Sequence, residues 1–276
     1  IESPHPEHLR ALWVDSSNPV NTAADTQRVL AAMGKLDLMV AVDVALTETA
    51  ARADYVLPAA SQFEKCEYTL FSFEYPTNYF HVRRPLLPPL ADTLPEPEIY
   101  TRLAQALDLL PPAAALDELR DRAALGHGAF APGFAALMAA HPECGAVAPL
   151  VLYTTLGAVL PHGTAAAAPL WGAAQRLART RPESVSAALA ITNSLAPEQL
   201  GARLFDAIIA SPSGTAFSVD ASVWDLIETA DRKVHLAIPT LLDALAALSP
   251  ADVEPPADFP FVLSAGQRRA QNANQI

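Results

Sequence analysis

The chain has 276 residues, 51% of them hydrophobic, and a formal net charge of −12. A chain near this length buries roughly three quarters of the surface it exposes when unfolded, enough for one large domain or two smaller ones. The acid excess, with no long basic run, argues against a nucleic-acid surface, and no uninterrupted apolar stretch of about 18 residues predicts a membrane span.

Residues 11–60 alternate strand and helix signals. The run ALWVD (11–15) reads as a strand and SSNPVNTAAD as a turn-rich loop. Asp25 is placed to cap a helix over residues 26–34, with Val29, Leu30 and Met33 at helical spacing and Gly34 as a stop. DLMVAVDV (37–44) is a second apolar run, suited to a strand buried on both faces. Thr47 or Thr49 then caps a two-turn helix to Asp54, and YVLPAA (55–60) is the third run. This β-α-β-α-β order predicts an α/β fold with a doubly wound, mostly parallel αβα sheet.

Residues 68–85 alternate aromatic and polar positions around Pro76-Thr77-Asn78, a pattern that suits an antiparallel hairpin. Residues 95–110 read as a helix with Ile99, Leu103, Ala106 and Leu107 on one face. Residues 111–231 are alanine-rich, broken by proline and glycine, and predict several short packed helices forming an insertion, with the hydroxyl-rich 211–218 as a loop. RKVHLAI (232–238) reads as a return strand, 239–248 as a helix with proline in its first turn, and 251–276 as a linker entering a further domain. The expected divisions are therefore 1–110, 111–231, 232–250 and 251–276. Neither end resembles a natural boundary, so the chain is expected to be an internal fragment. Cys66 and Cys144 lie far apart without CxxC spacing, which suits free thiols in a reducing, cytoplasmic setting.

Ligands of open parallel sheets sit beyond the carboxyl ends of the strands. Polar residues gather there: Ser16, Ser17 and Asn18 after the first strand, Asp43, Thr47 and Glu48 after the second, Ser61, Glu64 and Lys65 after the third. A strand-end acid can accept from ribose hydroxyls or from the N1–H and amino group of guanine. The residues by themselves leave two readings open, a nucleotide-like ligand or polar loops capping a sheet. The first turn has no glycine and there is no Walker lysine, which ranks a nicotinamide-dependent dehydrogenase last.

The order Asn18-Pro19, Asp43, Thr47-Glu48-Thr49-Ala50, Ala53-Asp54-Tyr55-Val56-Leu57-Pro58 and Glu64-Lys65 resembles the molybdopterin oxidoreductase family. RKVHLAIPTLLDAL and FPFVLSAGQRRAQNAN resemble later family segments, the second opening a C-terminal barrel domain. The resemblance implies an oxidoreductase carrying bis(molybdopterin guanine dinucleotide) with molybdenum or tungsten, of which this domain holds one guanine dinucleotide arm. It implies Asn18 on the cofactor loop, Asp43 with Val42 beside it at the guanosine, Thr47 nearby, and Lys65 at ribose or phosphate. Glu96 matches a position where the family often has a cofactor-contacting Asp, and Gly266, Gln267, Arg268 and Asn272 match the pterin-contacting loop. The chain departs from the family pattern at Ser16-Ser17, where a glycine is common, and after Lys65, where Cys66-Glu67-Tyr68-Thr69 replaces a glycine and a Thr-Asn turn.

The family's metal ligand and any iron–sulfur motif belong to an earlier part of the chain, so no residue here is expected to be catalytic or to bind metal. Partners implied are the other domains of the same enzyme and an electron-transfer partner. The competing reading is a non-catalytic scaffold or assembly module with the same fold.

Overall fold

The computed structural model describes residues 1–3, 5–69, 76–211, 213–220, 224, 227–249, 254–255 and 257–261. The expected pterin-loop residues Gly266, Gln267, Arg268 and Asn272 lie outside them, as does most of the segment FPFVLSAGQRRAQNAN expected to open a further domain. The chain divides into two units, residues 1–221 and 222–276.

The first unit begins with β1 (Ala11–Asp15), α1 (Pro19–Thr22), α2 (Thr26–Met33), β2 (Leu38–Asp43) and β3 (Tyr55–Pro58). The strands form a parallel sheet in the order β1-β2-β3. Asp15 lies beside Val42 and Asp43 beside Pro58, so the strands end along a common edge. The apolar run of β2 is explained by its central place, with Met39 to Val42 all buried. The flanking strands keep exposed side chains, among them Trp13 and Tyr55. Asp25 caps α2 as expected, its carboxylate accepting from the Arg28 N–H at 3.2 Å.

Between β2 and β3 the expected two-turn helix is a single 3-10 turn, Ala50–Arg52. The Asp54 N–H donates to the Met39 carbonyl at 2.8 Å while its carboxylate accepts from the Met39 N–H at 2.7 Å. That two-way grip returns the chain to the sheet before a second turn can form. Beyond β3, Leu94 makes a single parallel bridge to Ala59, which delivers the next helix to the same sheet edge.

The middle of the chain supplies β4 (Glu67–Tyr68), β5 (Thr77–Phe80), β6 (Val82–Arg83) and α3 (Glu96–Ala106). Ile99 of α3 packs with Val42 and Ala59 in a small core under the sheet. The expected hairpin is only partly formed: β4 and β6 pair antiparallel, but Thr77 and Asn78 are strand rather than turn. They pair with β7 (Thr215–Val219), which follows α4 (Ala113–Ala124), α5 (His127–Ala140), α6 (Ala148–Thr154), α7 (Leu170–Thr180), α8 (Pro182–Ala188) and α9 (Pro197–Ala210). The expected loop at 211–218 therefore contains most of a strand.

These helices enclose the larger core, with Phe130, Val151, Trp171, Leu204 and Phe205 buried in it. The Phe130 and Trp171 rings meet edge to face at 5.1 Å. The run Pro142–Val159 is long and apolar enough, by length and composition alone, to cross a membrane (mean hydropathy 1.2). It is broken into 3-10, α and 3-10 segments, and Val151, Leu152 and Leu156 are buried in the helical core.

In the second unit, α10 (Pro239–Ala246) begins on proline as expected. The expected strand at 232–238 is absent: those residues join no ladder among the described residues. Local bonds take its backbone instead, with the Lys233 N–H donating to Thr229 Oγ1 at 3.0 Å and Arg232 at φ +56°.

Gly201 fixes the approach of α9 to α7. A Cβ there would sit 2.7 Å from the Gln175 amide carbon and 2.9 Å from its Cα, so backbone must move. Overpacking of this kind costs about 1–3 kcal/mol, against about 1 kcal/mol gained by alanine in a helix. Gly201→Ala is predicted to lower the denaturant midpoint with an unchanged m-value; an unchanged or higher midpoint would show that the two helices separate freely.

Candidate functional site

Where the three strands end, the loop after β1 and the loop after β2 are tied together by one side chain. Asn18 Nδ2 donates to Glu48 Oε2 at 2.7 Å, and Asn18 Oδ1 accepts from the Thr49 hydroxyl at 2.7 Å and the Thr49 N–H at 3.3 Å. Thr49, fully buried, accepts in turn from the Val20 N–H at 3.1 Å. The Asn18 bond is the main cause holding the Glu48 carboxyl below its ordinary range. Half of the Thr-Glu-Thr-Ala motif thus anchors the Asn-Pro loop. Ser16 precedes that loop at φ +52°, the left-handed region that glycine takes most readily, and its hydroxyl donates to Asp15 Oδ1 at 2.8 Å.

Asp43 ends β2 with its carboxylate held from two sides. Oδ1 accepts from the Val44 N–H at 2.7 Å and Oδ2 from the Thr47 hydroxyl at 3.2 Å. Thr47 Oγ1 also accepts from the Ala50 N–H, capping the 3-10 turn. Asn18, Asp43, Thr47 and Lys65 together line a cavity of about 500 Å³, which Ser61 and Phe63 also line. Val42 is placed differently. Its side chain is 1% exposed in the core under the sheet, and its carbonyl accepts from the Ser16 N–H at 3.1 Å.

Lys65 stands at the junction with a second cavity of about 770 Å³, which Ser16 and Lys65 share with the first. Its ammonium is ion-paired with Glu96, the first residue of α3, and lies 3.4 Å from Glu67. Asp15, Cys66, Tyr100 and Tyr153 also line this second cavity, and its far wall comes from Pro149, Leu150 and Pro169 of the helical segment. Tyr100 donates to Asp15 Oδ2 at 2.5 Å and accepts from Trp13 Nε1 at 3.0 Å. Burial first, and then the Asp15 carboxylate, push its phenol up to about 12.

Glu64, directly before Lys65, is buried and accepts from the Ser61 N–H at 2.8 Å and the Leu90 N–H at 3.2 Å. The Ser61 bond leads in holding its carboxyl below the ordinary range. Both cysteines are free; burial pushes the Cys66 thiol up to about 11 and raises Cys144 as well, so neither is poised as a thiolate ligand. Among the described residues no group of three or more His, Cys, Asp or Glu gathers as a metal site.

The structure brings Asn18, Asp43, Thr47, Lys65 and Glu96 to one edge of the sheet and leaves the Val42 side chain in the core. Tyr100, Asp15 and Tyr153 belong to the same edge and were not foreseen. Tyr100 was within reach of sequence reasoning, because it follows Glu96 by four residues in a predicted helix and so shares its face.

Residues 1–106 match the family model described as molybdopterin oxidoreductase. The chain is 32% identical over 121 residues to the probable oxidoreductase YoaE of Bacillus subtilis, covering 43% of this chain and 17% of that protein. It is 29% identical over 109 residues to the thiosulfate reductase molybdopterin-containing subunit PhsA of Salmonella typhimurium, covering 39% and 14%. A 59-residue stretch is 42% identical to a formate dehydrogenase 1 subunit alpha of Methanococcus maripaludis, covering 21% and 9%. The chain spans less than a fifth of the length of each of these relatives.

Two outcomes follow from this geometry. Asn18→Ala strands the buried Thr49 hydroxyl and is predicted to cost about 1–3 kcal/mol; NMR titration should also show the Glu48 carboxyl returning toward its ordinary value. Glu64 has a depressed folded pKa, so its stabilisation is complete above the unfolded carboxyl value of about 4.3 and is lost as pH falls through the folded value. Glu64→Gln should therefore show a shallower loss of stability in acid than the parent chain, and an identical acid limb would contradict the assignment.

Proposed function

We propose, from the match of residues 1–106 to the molybdopterin oxidoreductase family model, that the chain is the cofactor-holding part of a larger oxidoreductase. On this reading the strand-end cavity receives one guanine dinucleotide arm of a bis(molybdopterin guanine dinucleotide) with molybdenum or tungsten. The carrying observation is that Asp43, Thr47, Asn18 and Lys65 line one cavity at the carboxyl edge of a parallel sheet, inside the matched residues.

The chemistry of the donors fits the base. An ionised carboxylate offers about four acceptor positions, and Asp43 uses one on each oxygen within the protein. One position on each oxygen is left for the N1–H and amino group of guanine. Thr47 holds the carboxylate in place, and Asn18 fixes the loop that closes the cavity rather than offering its own amide. Val42 contributes backbone spacing. Lys65 is the cation for a pyrophosphate, and Gly266, Gln267, Arg268 and Asn272 are assigned to a separate pterin-contacting loop. When bound, the group supplies two-electron redox or oxygen-atom transfer at its metal.

The proposal includes a doubly wound αβα domain with boundaries at 1–110, a helical insertion at 111–231, a returning segment at 232–250 and a further domain opening at 251–276. The metal ligand, any iron–sulfur cluster and the contact with an electron-transfer partner are assigned to other parts of the enzyme, which is placed in the cytoplasm. Asp43→Asn replaces one of the two acceptors by a donor, and a lost bidentate pair of this kind costs about 1–3 kcal/mol. Titration calorimetry with guanosine should show binding to the parent chain weakened by about fivefold or more in Asp43→Asn. Equal binding by both would remove Asp43 from the site.

A further inference from the structure

Lys65 is the one cation lining either cavity at the strand ends, among the described residues, and it lies where the two meet. Four carboxylates line the same space: Asp43 in the smaller cavity, and Asp15, Glu67 and Glu96 in the larger. Lys65 and Glu96 are 13% and 17% exposed at their side chains and are directly ion-paired, while Glu67, 40% exposed, lies 3.4 Å away. An ammonium withdrawn this far from water and already matched by a carboxylate does not attract an anion as a free lysine would. Glu96 is also held in place, because α3 starts on it and Tyr100, one turn later, donates to Asp15 at 2.5 Å.

We propose that Glu96 is an internal competitor for Lys65, a positioning residue that restrains the anion affinity of the strand-end site until a ligand's phosphate displaces it. The inference rests on the preceding reading for the identity of the ligand, a nucleoside diphosphate ester, and adds a selectivity rule to it. A pyrophosphate by itself must break the Lys65–Glu96 pair and gains only its own contact with Lys65 in return. The same pyrophosphate attached to a base held by Asp43 brings a second set of contacts, and the exchange at Lys65 becomes effectively intramolecular. Free polyphosphates are thereby rejected although a lysine lines the cavity. Glu67, nearer to water, contributes to the restraint in the same direction and more weakly.

Titration calorimetry of the 276-residue chain with inorganic pyrophosphate tests this, using the parent, Glu96→Gln, Glu67→Gln and the double variant Lys65→Gln/Glu96→Gln, each checked for folding by its thermal transition. Glu96→Gln should bind pyrophosphate at least about fivefold more tightly than the parent, the lower end of couplings between linked sites. Glu67→Gln should show a smaller gain, and the double variant should lose the gain of Glu96→Gln entirely. Unchanged or weaker pyrophosphate binding in folded Glu96→Gln, or a gain that survives loss of Lys65, would overturn the proposal. Should Glu96→Gln fail to fold, absence of any gain in Glu67→Gln overturns it. Guanosine, which carries no phosphate, separates the two readings: equal guanosine affinity in the parent and Glu96→Gln supports the competitor role, and a loss in Glu96→Gln would make Glu96 a direct contact and overturn it. No guanosine binding by any variant would count against the nucleoside reading alone, with the pyrophosphate series still deciding the role of Glu96.

Discussion

The arrangement at the strand ends depends on the amide of Asn18. A parallel sheet sets its strand ends along one edge, but the loops that leave them are separate segments with no ladder to hold them in register. Asn18 joins the first loop to the second through Glu48 and the buried Thr49, whose hydroxyl then supports the backbone of Val20. With the first loop fixed, Asn18 lines the same cavity as Asp43 and Thr47. The chemistry of the site therefore rests on a residue whose own polar atoms are turned inward.

The second organising feature is electrostatic. Around Lys65 the chain has placed more carboxylates than cations, and the closest of them comes from the start of α3. The helical segment after residue 110, outside the matched family region, supplies the opposite wall through Pro149, Leu150 and Pro169. The strand-end site is thus bounded by loops inside the matched residues and by helices beyond them. A strained residue stands at the boundary: Ser16, at φ +52°, lines both cavities.

The parallel sheet was legible because its strands are local signals, continuous apolar runs that each end in a polar cluster. The cap of Asp25 was legible for the same reason. Asp43 and Thr47 could be placed from the strand-end position alone, without knowledge of what holds them. The expected hairpin around Pro76–Asn78 misled because the true partner of β5 is β7; Asn78 donates to Ser218 across 140 residues of sequence. No local alternation reports a pairing of that span. The strand expected at 232–238 has the right residue types but no ladder among the described residues, and side-chain acceptors at Thr229 and Asp231 take its Lys233 N–H. The withdrawal of Lys65 behind Glu96 was equally hidden, since it arises from a single bridge between Ala59 and Leu94 that carries α3 to the sheet edge.

Whether these strand ends hold a molybdopterin guanine dinucleotide is read from the metal and pterin content of the natively matured protein that carries this chain. Elemental analysis for molybdenum and tungsten, together with fluorescence of oxidised pterin, should give about one metal and two pterins per polypeptide, the stoichiometry of the proposed cofactor. A properly matured sample with neither metal nor pterin would contradict the account and leave the Asn18-anchored site as a scaffold without its ligand.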